Sequence, residues 1–228
     1  AMYASNINNP LIQSSLTISN SIFTKNSANS GAAIVIEEGN LNIENCIFSE
    51  NTASNTGGGI YVVNTEFDIT KSVLNNNHAN TDGGAISAAN STLNLEGVTI
   101  ACNSINEPSD GGSALDVRFE STTTVKNSII QFNQGGTLDI DISGASEWYF
   151  TNCEDEDCNG GIGSSNVNFD PEFVDLNNCI EPDLNLNFTS DCIDAGDPNS
   201  ELDPDGTRAD MGGLYYDQLA NPLPDPQV

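Results

Sequence analysis

The chain has 228 residues and sets 33 acidic side chains against 5 basic ones, a formal charge of −28 at pH 7. That sign disfavours nucleic acid and anionic membrane surfaces as partners, because phosphate repels it, and leaves cations and polar polymers as natural counter-ligands. No apolar run approaches the roughly 18 residues of a membrane-crossing helix, so no membrane insertion is expected of this sequence.

Taken in chain order, the elements repeat. The sequence opens on Ala1-Met2 without a secretory leader, as expected of an excised segment. An Asn then closes the first half of each successive unit at Asn26, Asn51, Asn77 and Asn103, in steps of 25, 26 and 26, and again at Asn133 after a step of 30. Three positions before each Asn stands Phe23, Phe48, Leu74, Ile100 or Ile130. In the second half a small-residue turn leads into an apolar strand: Gly31-Ala32-Ala33-Ile34, Gly57-Gly58-Gly59-Ile60, Gly83-Gly84-Ala85-Ile86, Gly111-Gly112-Ser113-Ala114-Leu115 and Gly135-Gly136-Thr137-Leu138. Between these, Leu41-Ile43, Phe67-Ile69 and Leu93-Leu95 alternate with polar residues in short β-branched runs, which is a strand pattern. Such units stack as parallel sheets about 4.8 Å apart around one core. The fold class is therefore all-β, a parallel β-helix over residues 1–150, closed by a loop-rich, disulfide-containing capping segment of the same domain over 151–228. The repeated Asn tolerates the left-handed conformation and bonds turn backbone, so it is expected to form an internal ladder.

The six cysteines divide. Cys46 and Cys102 lie in different rungs and are expected to be buried free thiols. Cys153, Cys158, Cys179 and Cys192 cluster after the repeats, where Cys153 with Cys158 and Cys179 with Cys192 is the simplest of three pairings open to four cysteines in an oxidising compartment. Asp203, Asp205 and Asp210, around the Asp203-Pro204-Asp205-Gly206 turn, offer hard oxygens suited to Ca2+, without the spacing of an EF-hand; the alternative is an acidic turn whose carboxylates cap amides and whose Arg208 pairs with one of them. The run Glu154-Asp155-Glu156-Asp157 reads as a solvated hairpin tip.

The GGGI, GGAI and GGSAL turns, paired with FTKN and FSEN, resemble the GGA[ILV] and FxxN repeats of the chlamydial polymorphic outer-membrane protein family and related bacterial right-handed parallel β-helix proteins, over roughly residues 14–145. NVNFDPEFVD, DCIDAGDP and DPDGTRADMGGLYYD are similar to the closing segment of secreted bacterial β-helix repeat proteins. The resemblance implies a right-handed coil, secretion or a bacterial cell-surface location, and an adhesin, passenger or surface role. The first rung departs with GAAI, and Leu74 and Ile100 replace Phe.

If Ile34, Ile60, Ile86, Leu115 and Leu138 point inward, one lateral face carries Val35, Tyr61, Val63, Ser87, Ala89, Asp116, Arg118, Asp139 and Asp141, with Trp148 and Tyr149 as an extension. Tyr61 could stack on a sugar while Asp116, Arg118, Asp139 and Asp141 bond its hydroxyls, or the face is a solvated sheet with a structural Asp/Arg pair. Two function classes follow. One is a monomeric, non-catalytic, adhesin-like module binding a polysaccharide or host cell-surface glycan. The other is a calcium-dependent polysaccharide lyase or glycoside hydrolase acting on acidic polysaccharides, with Asp139 and Asp141 about 7 Å apart along one strand as an acid/base pair. The scarcity of basic groups beside these carboxylates favours the first.

Overall fold

The computed structural model describes residues 2–4, 15–106, 111–136, 138–143, 145–153 and 162–223. Apart from one 3-10 turn at Asn177–Cys179, its regular elements are strands. They wind into a parallel solenoid of about five turns. The first sheet stacks Met2–Ala4, Ile34–Ile36, Ile60–Val63, Ile86–Ala89, Gly112–Arg118 and Leu138–Ile142 in that order. A second, bent sheet stacks Ser15–Ser19, Gly39–Glu44, Thr65–Asn75, Thr92–Ala101, Thr122–Lys126, Ala145–Tyr149 and Ile162–Ser164, with Ile22–Thr24, Ile47–Ser49, Ile129–Gln131 and Asn152–Cys153 on its far half. A narrow third sheet holds Ser27–Ala28, Thr52–Ala53, His78–Ala79 and Ser104–Ile105.

Each inward side chain sits on its counterpart one rung away, as in Phe67 on Leu93, Ile69 on Leu95 and Leu74 on Ile100. Ile34, Ile60, Ile86 and Leu115, like Phe48, Leu74, Ile100 and Ile130, are fully buried. At roughly 1.5–3 kcal/mol for each such side chain, this column supplies most of the driving force for coiling. The corners demand glycine where backbones nearly touch: a Cβ on Gly58 would lie 2.1 Å from the Gly84 carbonyl oxygen.

The Asn ladder forms. Asn51 Nδ2 donates to Asn77 Oδ1 at 2.8 Å and to the Phe23 carbonyl at 2.9 Å, and the Asn51 amide donates to the same Asn77 oxygen at 3.2 Å. Asn26, Asn77 and Asn103 repeat the link to the next rung. The expected left-handed backbone does not belong to these residues. It falls one place earlier, on Lys25, Glu50, Asn76, Cys102 and Phe132. The ladder Asn is chosen for its amide, which both accepts and donates between rungs.

After Val167, which still pairs in parallel with Asn152, the chain runs back along the outside of the second sheet. The Gly213 amide donates to Thr99 Oγ1, the Gly212 amide to the Asn127 carbonyl, and Lys126 Nζ pairs with Asp197 Oδ2 at 3.0 Å. Beneath them Met211, Cys192 and Leu186 pack on Ile129, and Leu214 with Leu184 on Val73. This fold-back corrects the cysteine pairing. Cys102 is bonded to Cys179, and Cys192 is a buried free thiol, as is Cys46. Cys102 departs from the expected buried thiol because its left-handed backbone ends a strand and turns the side chain outward to the returning segment. Cys153 is disulfide-bonded; its expected partner Cys158, and the run Glu154 to Asp157, lie outside the described residues.

The register yields a direct test. Ile60 is fully buried whereas Val63, three residues on, faces outward and is half-buried. Ile60→Asp should cost about 4 kcal/mol, as an unpaired buried charge does, and Val63→Asp under about 1 kcal/mol. Equal losses in circular dichroism melts would refute this register.

Candidate functional site

The outward positions of the first sheet form one row, Val35, Tyr61, Ser87, Asp116 and Asp141, each paired in register with the next. A second row carries Val63, Ala89 and Arg118. The charged end departs from the sequence expectation. Leu115 pairs with Ile140, not Leu138, and Asp116 with Asp141, not Asp139, because the register shifts between Gly112 and Leu115. The shift lies against the following strand, where Gly112 to Leu115 spans three steps and Leu138 to Ile140 two, while the pairing of Leu115 with Ile86 before it stays regular. Asp139 lies in the strand next to this irregularity, and its side chain is outside the described residues. Trp148 does not extend the face either, being fully buried inside the coil on the second sheet, where Tyr149 also lies.

Arg118 organises the charged end. Its Nε donates to Asp116 Oδ1 at 2.8 Å and its Nη2 to Asp82 Oδ1 at 3.0 Å, while 39% of the side chain remains exposed. Asp82 was not foreseen. It reaches in from the corner before Gly83, and Gly111 admits it, since a Cβ there would lie 2.0 Å from Asp82 Oδ1. Ser87 Oγ donates to the other Asp116 oxygen at 3.4 Å. Asp116 is only 2% exposed, and this burial pushes its carboxyl up to about 6 even though Arg118 acts against the shift. Burial, then the charge of Glu37, raises the Tyr61 phenol.

The second candidate cluster is built differently. Asp203 Oδ2 accepts from the Asp210 amide, Asp205 from the Thr207 and Gln218 amides, and Asp210 from the Asp194 and Tyr216 amides. Arg208 turns to the Gly196 and Ala195 carbonyls and lies over the Phe150 ring instead of joining a carboxylate. Among the described residues no set of three His, Cys, Asp or Glu side chains is placed to hold a metal ion. Backbone amides therefore engage oxygens of all three aspartates, as the amide-capping alternative requires. Asp210, 5% exposed, is pushed by burial up to about 6.

Residues 45–63 and 71–89 match the Chlamydia polymorphic membrane protein repeat. Each matched stretch of this repeat runs from the bend before a ladder Asn, through its glycine corner, to the end of a first-sheet strand; the first ends two residues past Tyr61 and the second two past Ser87. No curated protein and no solved structure matches the chain.

Two outcomes follow from the buried carboxyls. Asp116 and Asp210 sit near 6 in the folded chain against an ordinary 3.8, so the folded state holds their protons more tightly than the unfolded one. Their stabilising contribution is complete below about pH 3.8 and is lost as pH rises through 6. The melting temperature should therefore be higher at about pH 5 than at about pH 7.5, with carboxyl carbon NMR midpoints near 6 for these two residues; the opposite order of melts would contradict it. Millimolar calcium added to chelator-treated protein should leave the melt unchanged. A rise of several degrees that vanishes in Asp205→Ala would reinstate an ion site.

Proposed function

We propose that this chain is a non-catalytic, adhesin-like β-helix module of a cell-surface protein, and that it binds glycan weakly on the outer face of its first sheet. The observation that carries the reading is the in-register row from Tyr61 through Ser87 and Asp116 to Asp141, flanked by Arg118. Three rung steps make that row about 14 Å long, enough for a short oligosaccharide. Tyr61 is half-buried and offers an aromatic surface, while Arg118 and Asp141 offer a donor and an acceptor for sugar hydroxyls. Because neighbouring rungs hold these groups, little side-chain freedom is lost on binding. The polymorphic membrane protein repeats support a surface location.

One observation favours a hydrolase instead: Asp116 and Asp141 are direct cross-strand neighbours, and the first has a raised carboxyl. Against it, Asp116 is almost inaccessible and both its oxygens are engaged, by Arg118 and Ser87. A glycan array with the wild type, Tyr61→Ala and Arg118→Ala is the test, run beside reducing-end and unsaturated-uronate assays. Dissociation constants in the roughly micromolar to millimolar range, weakened in both variants and unaccompanied by cleavage, are expected of a shallow polar site. Absence of any binding would leave a structural spacer, and turnover lost in Asp141→Asn would make the chain an enzyme.

A further inference from the structure

Of the five basic residues only Arg118 lies on the first sheet, since Lys71 and Lys126 belong to the second, Lys25 follows the strand Ile22–Thr24 and Arg208 sits in the returning segment. Its charge is already shared. Nε and Nη2 donate to Asp116 and Asp82 at 2.8 and 3.0 Å, and Asp141, one rung beyond Asp116, acts electrostatically on both Asp116 and Arg118. At the aromatic end of the row Glu37 is exposed and close enough for its charge to act on the Tyr61 phenol. Glu37, Asp82, Asp116 and Asp141 therefore stand along the row against a single guanidinium.

That balance separates classes of sugar. A uronate brought to this face meets like charge at both ends, and Arg118 can receive it only by releasing Asp82 or Asp116. Releasing Asp116, 2% exposed, would strand a buried carboxylate without its cation. A sugar bearing an ammonium group meets the opposite situation: its charge is drawn to the carboxylates and to the Tyr61 ring, while its apolar ring face stacks on the same phenol. We propose that the first-sheet row selects oligosaccharides carrying free amino groups, prefers them to neutral sugars and rejects acidic ones. The inference rests on the glycan reading of this face and names the class of sugar it takes.

The experiment titrates 15N-labelled protein with tetramers of glucosamine, N-acetylglucosamine and galacturonate, which are cationic, neutral and anionic, at about 10 mM and about 150 mM salt. The glucosamine tetramer should shift the amides of Tyr61, Ser87, Asp116 and Asp141 saturably and bind about tenfold more tightly than its N-acetylated form at low salt. That margin should shrink at the higher salt and in Asp141→Asn, and galacturonate should leave the row unmoved. Equal affinity for the three tetramers, or preference for galacturonate, would overturn the selection and leave the glycan reading standing. No shift with any tetramer would overturn both. Glucosamine shifts that spread over the acidic returning segment and leave the row unmoved would reduce the effect to general attraction of a cation by an acidic protein, and so overturn the proposal.

Discussion

A buried primary amide that has to be satisfied from two sides governs this molecule. Asn51, Asn77 and Asn103 are completely removed from solvent, and each gives and receives hydrogen bonds across both neighbouring rungs. An orphaned amide in that position costs about 1–3 kcal/mol for each unmet group, so a rung must return the chain to the same place after each turn. Rung length is thereby constrained at the ladder and free elsewhere. The longer step between Asn103 and Asn133 keeps the Asn103 to Asn133 bond at 3.0 Å and takes up its surplus outside the paired strands, which stay in regular register with the rung before. A separate irregularity, between Gly112 and Leu115 against the following strand, decides which aspartate stands beside Asp116.

What could be read in the sequence is what repeats. Alternating Leu41-Ile43, Phe67-Ile69 and Leu93-Leu95 announce strands because period two has one structural meaning, and the ladder Asn announces itself by its spacing. The left-handed position one residue earlier is invisible, since Lys25, Glu50, Asn76, Cys102 and Phe132 share no chemistry. Equally hidden is a second set of inter-rung bonds at the bends, where the Cys46 amide donates to Ser72 Oγ, the Thr65 amide to Ser91 Oγ and the Val98 amide to Ser128 Oγ. Serine is too common in loops for its spacing to stand out.

The candidate site was legible to the same degree. Tyr61, Ser87, Asp116 and Arg118 follow from the strand register. Asp82 did not, because it comes from a corner and reaches Arg118 across 36 positions of sequence. The aspartates near residue 205 illustrate another limit: composition gives carboxylates without saying which way they turn, and here backbone amides take them. The Cys102–Cys179 bond was missed for a related reason, as the returning segment has no periodicity to reveal where it lies.

That disulfide changes how the molecule carries load. It closes a loop with a sequence separation of 77 residues, within which lie the last turns of the coil, the buried Trp148 and part of the returning segment. A pull between the two ends of the chain passes through the sulfur bridge and leaves the enclosed turns slack. About 260 Å of contour, the reach of that loop if fully extended, is withheld from stretching. Tension would peel rungs from the N-terminal side toward Cys102, and the C-terminal turns would remain wound as a rigid tether point.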